Sequence, residues 1–337
     1  QPSSDNSRSS ASAASAERLR MTPRPAILPL ALCAAGALAL RSRVDDNSRA
    51  DFPPPCKYFT REPTLCRQGN SLWSDDELLA ALPAFAEMYR NRPLYKNVGG
   101  VDVNHAFALW FSVRQTKPKY IIESGVHQGQ TTYIMRNAAP NATMFSLDPR
   151  EEGVTNNGPG QACFHDESPK THYFRGKQFK DLDRVNWDSL IPKDERDQVF
   201  VALDDHMNCV RRSKELLRRG FLHLWYDDNF INGDTYSFNA LCSARKPSDG
   251  SLVLMKDHFG TKNVNITLEQ HQENLDWFRN HSEVYFEFPA LFDGCLQHGR
   301  RRSLLDFGTI QSLGLPSFFR DWQHYAHYYS PYVKLRP

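Results

Sequence analysis

At 337 residues the chain has room for one large α/β domain with extensions. Charged residues make up 24% and nearly cancel to a formal net charge of +2, so composition makes no case for a nucleic-acid partner. No segment repeats and no heptad pattern persists, which sets aside solenoids and long coiled coils.

Residues 1–50 differ in kind from the rest. Residues 1–20 are rich in Ser, Ala and Arg without periodicity and read as disordered. Ala26 to Leu40 then runs for fifteen residues without a charge, and Arg41-Ser-Arg43 closes it. A membrane span needs about 20 residues, so this run has the length of a signal-peptide core or a short anchor. The expectation is a secretory-pathway protein, in the endoplasmic reticulum or Golgi lumen or secreted, with a membrane anchor at 26–40 if the segment is not cleaved. Met21 is then a candidate start. The alternative is an organelle transit peptide, because six Arg face two acids through Arg43. Cysteines point the same way as secretion: Cys33 lies in the apolar run and six remain in the body, enough for three disulfides. Their connectivity is open, although Cys56 and Cys66 flank a short Pro-bearing loop that can close locally. Asn141-Ala-Thr, Asn265-Ile-Thr and Asn280-His-Ser are N-glycosylation acceptors.

Residues 51–118 read as an N-terminal helical extension. Ser74-Asp-Asp-Glu77 is a capping box, and Leu78, Leu79, Leu82, Phe85, Ala86 and Tyr89 supply the apolar face of the helix it opens. Asn104 is the expected cap of a second helix through Phe107, Leu109, Trp110, Phe111 and Val113. Between them, Asn97 to Gly100 with Asn104-His105 reads as a solvated connector, with a flap over a ligand mouth as the other option.

The α/β domain is expected over 119–290, followed by a C-terminal extension at 291–337. Tyr120 to Ile122 reads as a buried strand that ends in Glu123, turns through Gly125 and Gly129 and enters a helix near Thr131. A second apolar run, Ala142 to Leu147, ends in Asp148 about 20 residues after the loop, the place of an acid that accepts hydrogen bonds from ribose hydroxyls. Glycines there remove the Cβ that would keep a ligand from the backbone, and the helix N-terminus favours carboxylate or phosphate oxygens. Downstream, Arg150 to Lys170 is a long polar loop, a lid or an insertion. His172 to Phe174, Val199 to Leu203, Phe221 to Tyr226, Ser251 to Met255 and Val284 to Phe288 are strand candidates. Helices are expected from Asn208 to Arg219, stopped by Gly220, and over Leu268 to His281. The aromatic stretch Trp322 to Tyr332 reads as docking the C-terminus. This alternation predicts a doubly wound, mainly parallel sheet.

In such a sheet the strand ends of one polarity share a rim, so Asp204, Asp205, Asp228 and Asn229 are expected beside Gly125 and Asp148. Their oxygens suit Mg²⁺ or another hard divalent cation. Asp205 as a helix cap, and Asp227 to Asn229 as an Asx turn, are the plainer readings.

The E-x-G-x-x-x-G spacing of Glu123, Gly125 and Gly129, with Asp148, resembles motif I of the class I S-adenosylmethionine-dependent methyltransferases. Leu203-Asp-Asp-His-Met207 and Tyr226-Asp-Asp-Asn-Phe230 are similar to the strand ends of the catechol-type, metal-dependent O-methyltransferases. The cephalosporin-hydroxylase-like branch shares the same features. The resemblance implies a Rossmann-like α/β fold of the class I methyltransferase type and S-adenosylmethionine held by Glu123, Gly125, Gly129 and Asp148. It further implies a divalent metal on Asp205, Asp228 and Asn229, and O-methylation of a hydroxyl on a small molecule or glycan. The catechol-type family carries Lys as base where this chain has Asn208, so His206 or Asp204 is the expected proton acceptor. Other classes remain open: a non-catalytic or sugar-binding module on the same fold, or an iron-dependent hydroxylase-like enzyme.

Overall fold

The computed structural model describes residues 65–66, 72–95, 97, 99–154, 162–227, 229, 236–242, 253–256, 263–291, 304–305 and 330–337, and only the backbone of those from 253 to 265. The apolar run at 26–40, Cys56 and Asp228 lie outside these residues. No helix among the described residues is long and apolar enough to cross a membrane.

Two helices lead into the sheet. In α1 (Asp75–Arg90) the Ser74 hydroxyl accepts the Glu77 N–H at 3.2 Å, and the Glu77 carboxylate accepts the Ser74 N–H at 2.7 Å. That reciprocal box satisfies two helix-end donors. Leu78, Leu82, Phe85, Ala86 and Tyr89 are its buried face, whereas Leu79 is exposed. The cap of α2 (Val103–Thr116) is Asp102 rather than Asn104: its carboxylate accepts the His105 N–H at 2.9 Å. Asn104 instead accepts the Leu291 N–H at 2.9 Å, a contact between segments distant in the chain. Residues 105–113 of α2 are buried on every side, the pattern of a helix enclosed by other elements.

The chain then alternates through β1 (Tyr120–Ser124), α3 (Gln130–Ala138), β2 (Thr143–Asp148) and β3 (Thr171–Arg175). It continues through β4 (Val199–Leu203), α4 (Cys209–Arg219), β5 (His223–Tyr226) and α5 (Phe238–Cys242). A hairpin of β6 (Val253–Lys256) and β7 (Asn263–Ile266) precedes α6 (Leu268–His281), β8 (Ser282–Glu287) and β9 (Pro331–Leu335). The main sheet runs β3-β2-β1-β4-β5-β9-β8. Its first five strands are parallel, and β9 lies antiparallel to both β5 and β8. Helices α1, α2 and α3 cover one face, where Phe107, Trp110, Ile134 and Met135 pack on Ile121, Met144, Phe200 and Trp225. On the other face Ile122, Phe145, Val201 and Leu224 meet Trp187, Leu216, Phe238 and Phe278.

Three expectations change. The late strand expected at Ser251 to Met255 pairs with β7 instead of the sheet, because β9 occupies the edge of β5. The residues read as a C-terminal extension supply that strand, with Tyr332 and Val333 buried, so the sheet is completed from beyond residue 290. And Cys66 bonds to Cys242, 176 positions away, rather than closing locally.

Candidate functional site

The C-terminal edge of the parallel strands brings the expected residues to one rim. Ladder bonds continue one residue past each strand: Gly125 N–H to the Leu147 carbonyl, Asp204 N–H to Ser124, and Asp227 N–H to Leu203, at 2.8–2.9 Å. Gly125, Asp204 and Asp227 therefore stand in adjacent rows, beside Asp148 at the end of β2.

The glycine loop has the strained backbone its sequence requires. Gly125 and Gly129 take φ of +93° and +84°, and His127 between them takes +50°. The open sides of both glycines are filled by protein: a Cβ would sit 1.9 Å from the Asp204 carbonyl oxygen at Gly125 and 2.2 Å from that of Phe164 at Gly129. These glycines therefore serve close packing of backbone on backbone. Gly129 is the N-cap of α3 and no side chain caps that end. The segment after the polar loop lies alongside, with the Phe164 N–H on the Gln128 carbonyl at 2.7 Å.

Both acids of the loop motif face the protein. Glu123 is buried and accepts hydroxyl protons from Thr131 at 2.5 Å, Thr132 at 2.7 Å and Ser146 at 2.6 Å. Burial raises its carboxyl above the ordinary 4.5, with the hydroxyls of Ser146, Thr131 and Thr132 pulling it back. Asp148, fully buried, accepts the Val126 and His127 N–H groups on Oδ2 at 3.0 and 2.8 Å and the Arg150 N–H on Oδ1 at 2.8 Å. The acid expected to hold a ribose is shaping the loop.

The strand-end acids are likewise engaged. Asp205 accepts from the Ser124 hydroxyl at 2.7 Å, the Arg212 Nε at 2.9 Å and the Met207 N–H at 3.3 Å. It does not cap α4; Asn208 does, accepting the Val210 and Arg211 N–H groups at 3.0 Å. Arg212 is itself buried among Asp205, Asp181 and Glu215. Burial alone would lower its pKa, but these carboxylates more than offset that and hold it charged. The Asn229 Oδ1 accepts the Asn239 N–H at 2.6 Å. Two of the three residues expected on a metal thus have protein donors, and Asp228 lies outside the described residues. Among the described residues no group of three or more His, Cys, Asp or Glu is arranged to hold a cation. Asp204 and His206 follow β4 half-buried, His206 with φ of +53°.

One pairing escaped the sequence reading. His105, read there as part of a solvated connector, is 2% exposed, and its Nδ1 lies 2.6 Å from Oδ1 of buried Asp227. Burial raises the Asp102 carboxyl one turn earlier, against the opposing pull of His105. A His inside the apolar run of α2 was the available signal; its partner lies 122 positions on. The loop and the end of β3 beside it also carry buried atoms without a partner among the described residues: both amide atoms of Gln130, the Gln128 Oε1 and the Arg175 Nη1. Nothing in the local sequence marks these.

No protein-family model matches the chain, and no curated protein matches it. Solved structures do. An O-methyltransferase of Bacillus cereus in complex with S-adenosylhomocysteine aligns at 11% identity over 79% of this chain and 93% of its own, with a TM-score of 0.33. A putative O-methyltransferase of Klebsiella pneumoniae aligns at 11% over 78% and 96%, again at 0.33. Human N-acetylserotonin methyltransferase, in complex with S-adenosylmethionine, aligns at 12% over 78% and 57%, at 0.32. Likenesses this distant carry no chemistry. The strand order and the β1–α3 glycine loop make the fold a Rossmann-like α/β arrangement of the class I methyltransferase type.

Proposed function

We propose that the chain binds S-adenosylmethionine at the β1–α3 loop and transfers its methyl group to a hydroxyl of a small molecule or glycan. The observation that carries this reading is the loop itself: an α3 N-terminus without a side-chain cap, entered through left-handed glycines at the strand-end rim, with buried hydrogen-bonding atoms beside it that the protein leaves unpartnered. The residues fit such a cofactor in its nucleoside and amino-acid parts, which offer the acceptors and donors these atoms need. Bound there, it would supply an electrophilic methyl carbon. The chain's own task is then to align the acceptor oxygen and take its proton. His206 and Asp204 are at hand on the rim after β4. Asp227 at the same rim holds His105 through Nδ1, a contact that fixes the orientation of that ring.

A cation on Asp205, Asp228 and Asn229 does not fit Asp205 as it stands, tied to Arg212. A lumenal setting for the protein is supported by the Cys66–Cys242 bond and by the exposure of Asn141 and Asn280.

A binding module on the same fold is the second reading, favoured by the saturation of Asp148 and the backbone packed over Gly125 and Gly129. Calorimetric titration of the intact protein with S-adenosylhomocysteine, with and without Mg²⁺, decides between them. Saturable binding is expected. A folded protein that takes up no heat with this ligand under either condition would promote the binding module.

A further inference from the structure

Buried polar atoms without partners are uncommon in folded proteins, because each forfeits the hydrogen bond it had in water. Two side chains of the β1–α3 loop region, Gln128 and Gln130, carry them here, and so does Arg175 at the end of β3 beside that loop. Gln130, the first residue of α3, is 3% exposed, and neither its Oε1 nor its Nε2 has a partner among the described residues. Gln128, across Gly129, gives Nε2 to the Ala162 carbonyl at 3.0 Å and leaves Oε1 unpartnered. Arg175, 8% exposed, donates through Nη2 to the His127 carbonyl at 3.1 Å and through Nε to the Arg150 carbonyl at 3.4 Å; its Nη1 has no acceptor among the described residues. The bond to His127 sets the guanidinium against the same loop. Next to it in sheet register is Asp148, whose oxygens are taken up by backbone N–H groups.

We infer that Gln130 and Arg175, rather than Asp148, hydrogen-bond the nucleoside half of the ligand and determine its recognition, while Asp148 is a positioning residue that shapes the loop. The inference rests on the cofactor reading above. A primary amide offers a donor and an acceptor side by side, complementary to a purine edge or to a pair of ribose hydroxyls. The guanidinium N–H needs one acceptor, a ring nitrogen or a hydroxyl oxygen. Arg175 closes β3, on the β2 side of the glycine loop, and it bridges that loop to the residue two past the β2 acid. That flank is where a nucleoside lies in folds of this kind.

The test compares S-adenosylhomocysteine with methylthioadenosine, which keeps the nucleoside and lacks the amino-acid chain, by calorimetry on the intact protein. Gln130→Met removes an amide that makes no bond in the free protein. It is expected to melt at the wild-type temperature or above and to bind both ligands about tenfold more weakly. Arg175→Lys, which keeps the charge but cannot span the two carbonyls, is expected to weaken both as well. Unchanged affinities in the two variants would overturn the inference, as would a loss confined to S-adenosylhomocysteine, which places the contacts on the amino-acid end. A lowered melting temperature in Gln130→Met would mark a structural amide and overturn its assignment. Failure of the wild-type protein to bind either ligand removes the cofactor reading itself, an outcome distinct from wild-type binding with unaffected variants.

Discussion

A carboxylate's role is decided by what donates to it, and Asp148, Glu123 and Asp205 all receive protein donors. For Asp148 these are three backbone N–H groups, two of them from the glycine loop, so Asp148→Ala should loosen the loop before it touches any ligand. We expect a loss of about 2–4 kcal/mol in urea unfolding of the ligand-free protein; an unchanged midpoint would return Asp148 to a ligand role. Gly125→Ala meets both a left-handed φ and a backbone oxygen at 1.9 Å, so it should cost at least about 3 kcal/mol or prevent folding. Glu123 gives the pH dependence. Its folded pKa lies above 4.5, so between those two values the native state holds a proton that the unfolded chain has released. Stability falls as pH rises through that window. Glu123→Gln should flatten the slope, seen as unfolding midpoints that no longer drop between acidic and neutral buffer; a slope kept in the variant would assign it to another group, Asp102 being the nearest candidate.

At the scale of elements, α4 is tied to the rim by Arg212. One buried guanidinium meets Asp205 after β4, Asp181 in the β3–β4 connection and Glu215 on its own helix. Arg212→Met would leave Asp205 and Asp181 without their cation, Glu215 keeping Arg211, a cost of about 3–5 kcal/mol. The same network bears on the metal question. Asp205→Asn should lower the melting temperature equally in chelator and in excess Mg²⁺, whereas a shift confined to the Mg²⁺ sample would restore Asp205 as a ligand. The cap of α1 was legible because its donor lies within three residues of the cap, whereas α4 is capped by Asn208 and not by Asp205, the cap the sequence offered. The cap of α2 was misread by two residues, since Asp102 and Asn104 are equally good cap types and Asn104 is claimed by Leu291 in the tertiary structure.

For the molecule as a whole, the long-range ties lie on the β5 side. Cys66 bonds Cys242 at the end of α5, the Leu65 N–H donates to the Cys242 carbonyl, and Arg279 of α6 donates to the Leu65 carbonyl at 2.8 Å. The crosslink restricts a long stretch of unfolded chain, and its loss should cost about 2–5 kcal/mol. Cys66→Ser is expected to melt below the wild-type protein, and reductant should lower the wild-type to the variant's temperature without moving the variant. A variant as stable as the wild-type would show that the bond does not constrain the unfolded chain. β9 has the same non-local character: it enters the sheet after a long excursion and separates β5 from β8.

What the sequence by itself determined is the order of elements from α1 through β5 and the rim on which the strand-end residues meet. Strand β4 is a continuous apolar run, β1 and β2 are mostly apolar, α1 carries its own capping box, and the glycines and terminal acids sit where a parallel sheet must gather them on one rim. These are local patterns, set by periods of two and 3.6 residues and by side chains that reach a few positions along the chain. The tertiary structure alone decided the partners: Asp148 to its loop, Asp205 to Arg212, His105 to Asp227, Cys66 to Cys242, and Gln130 to none among the described residues. A hydrogen bond or disulfide depends on distance and angle between groups many residues apart, and the same Asp at a strand end serves ligand, cation or backbone according to which donor the fold brings to it.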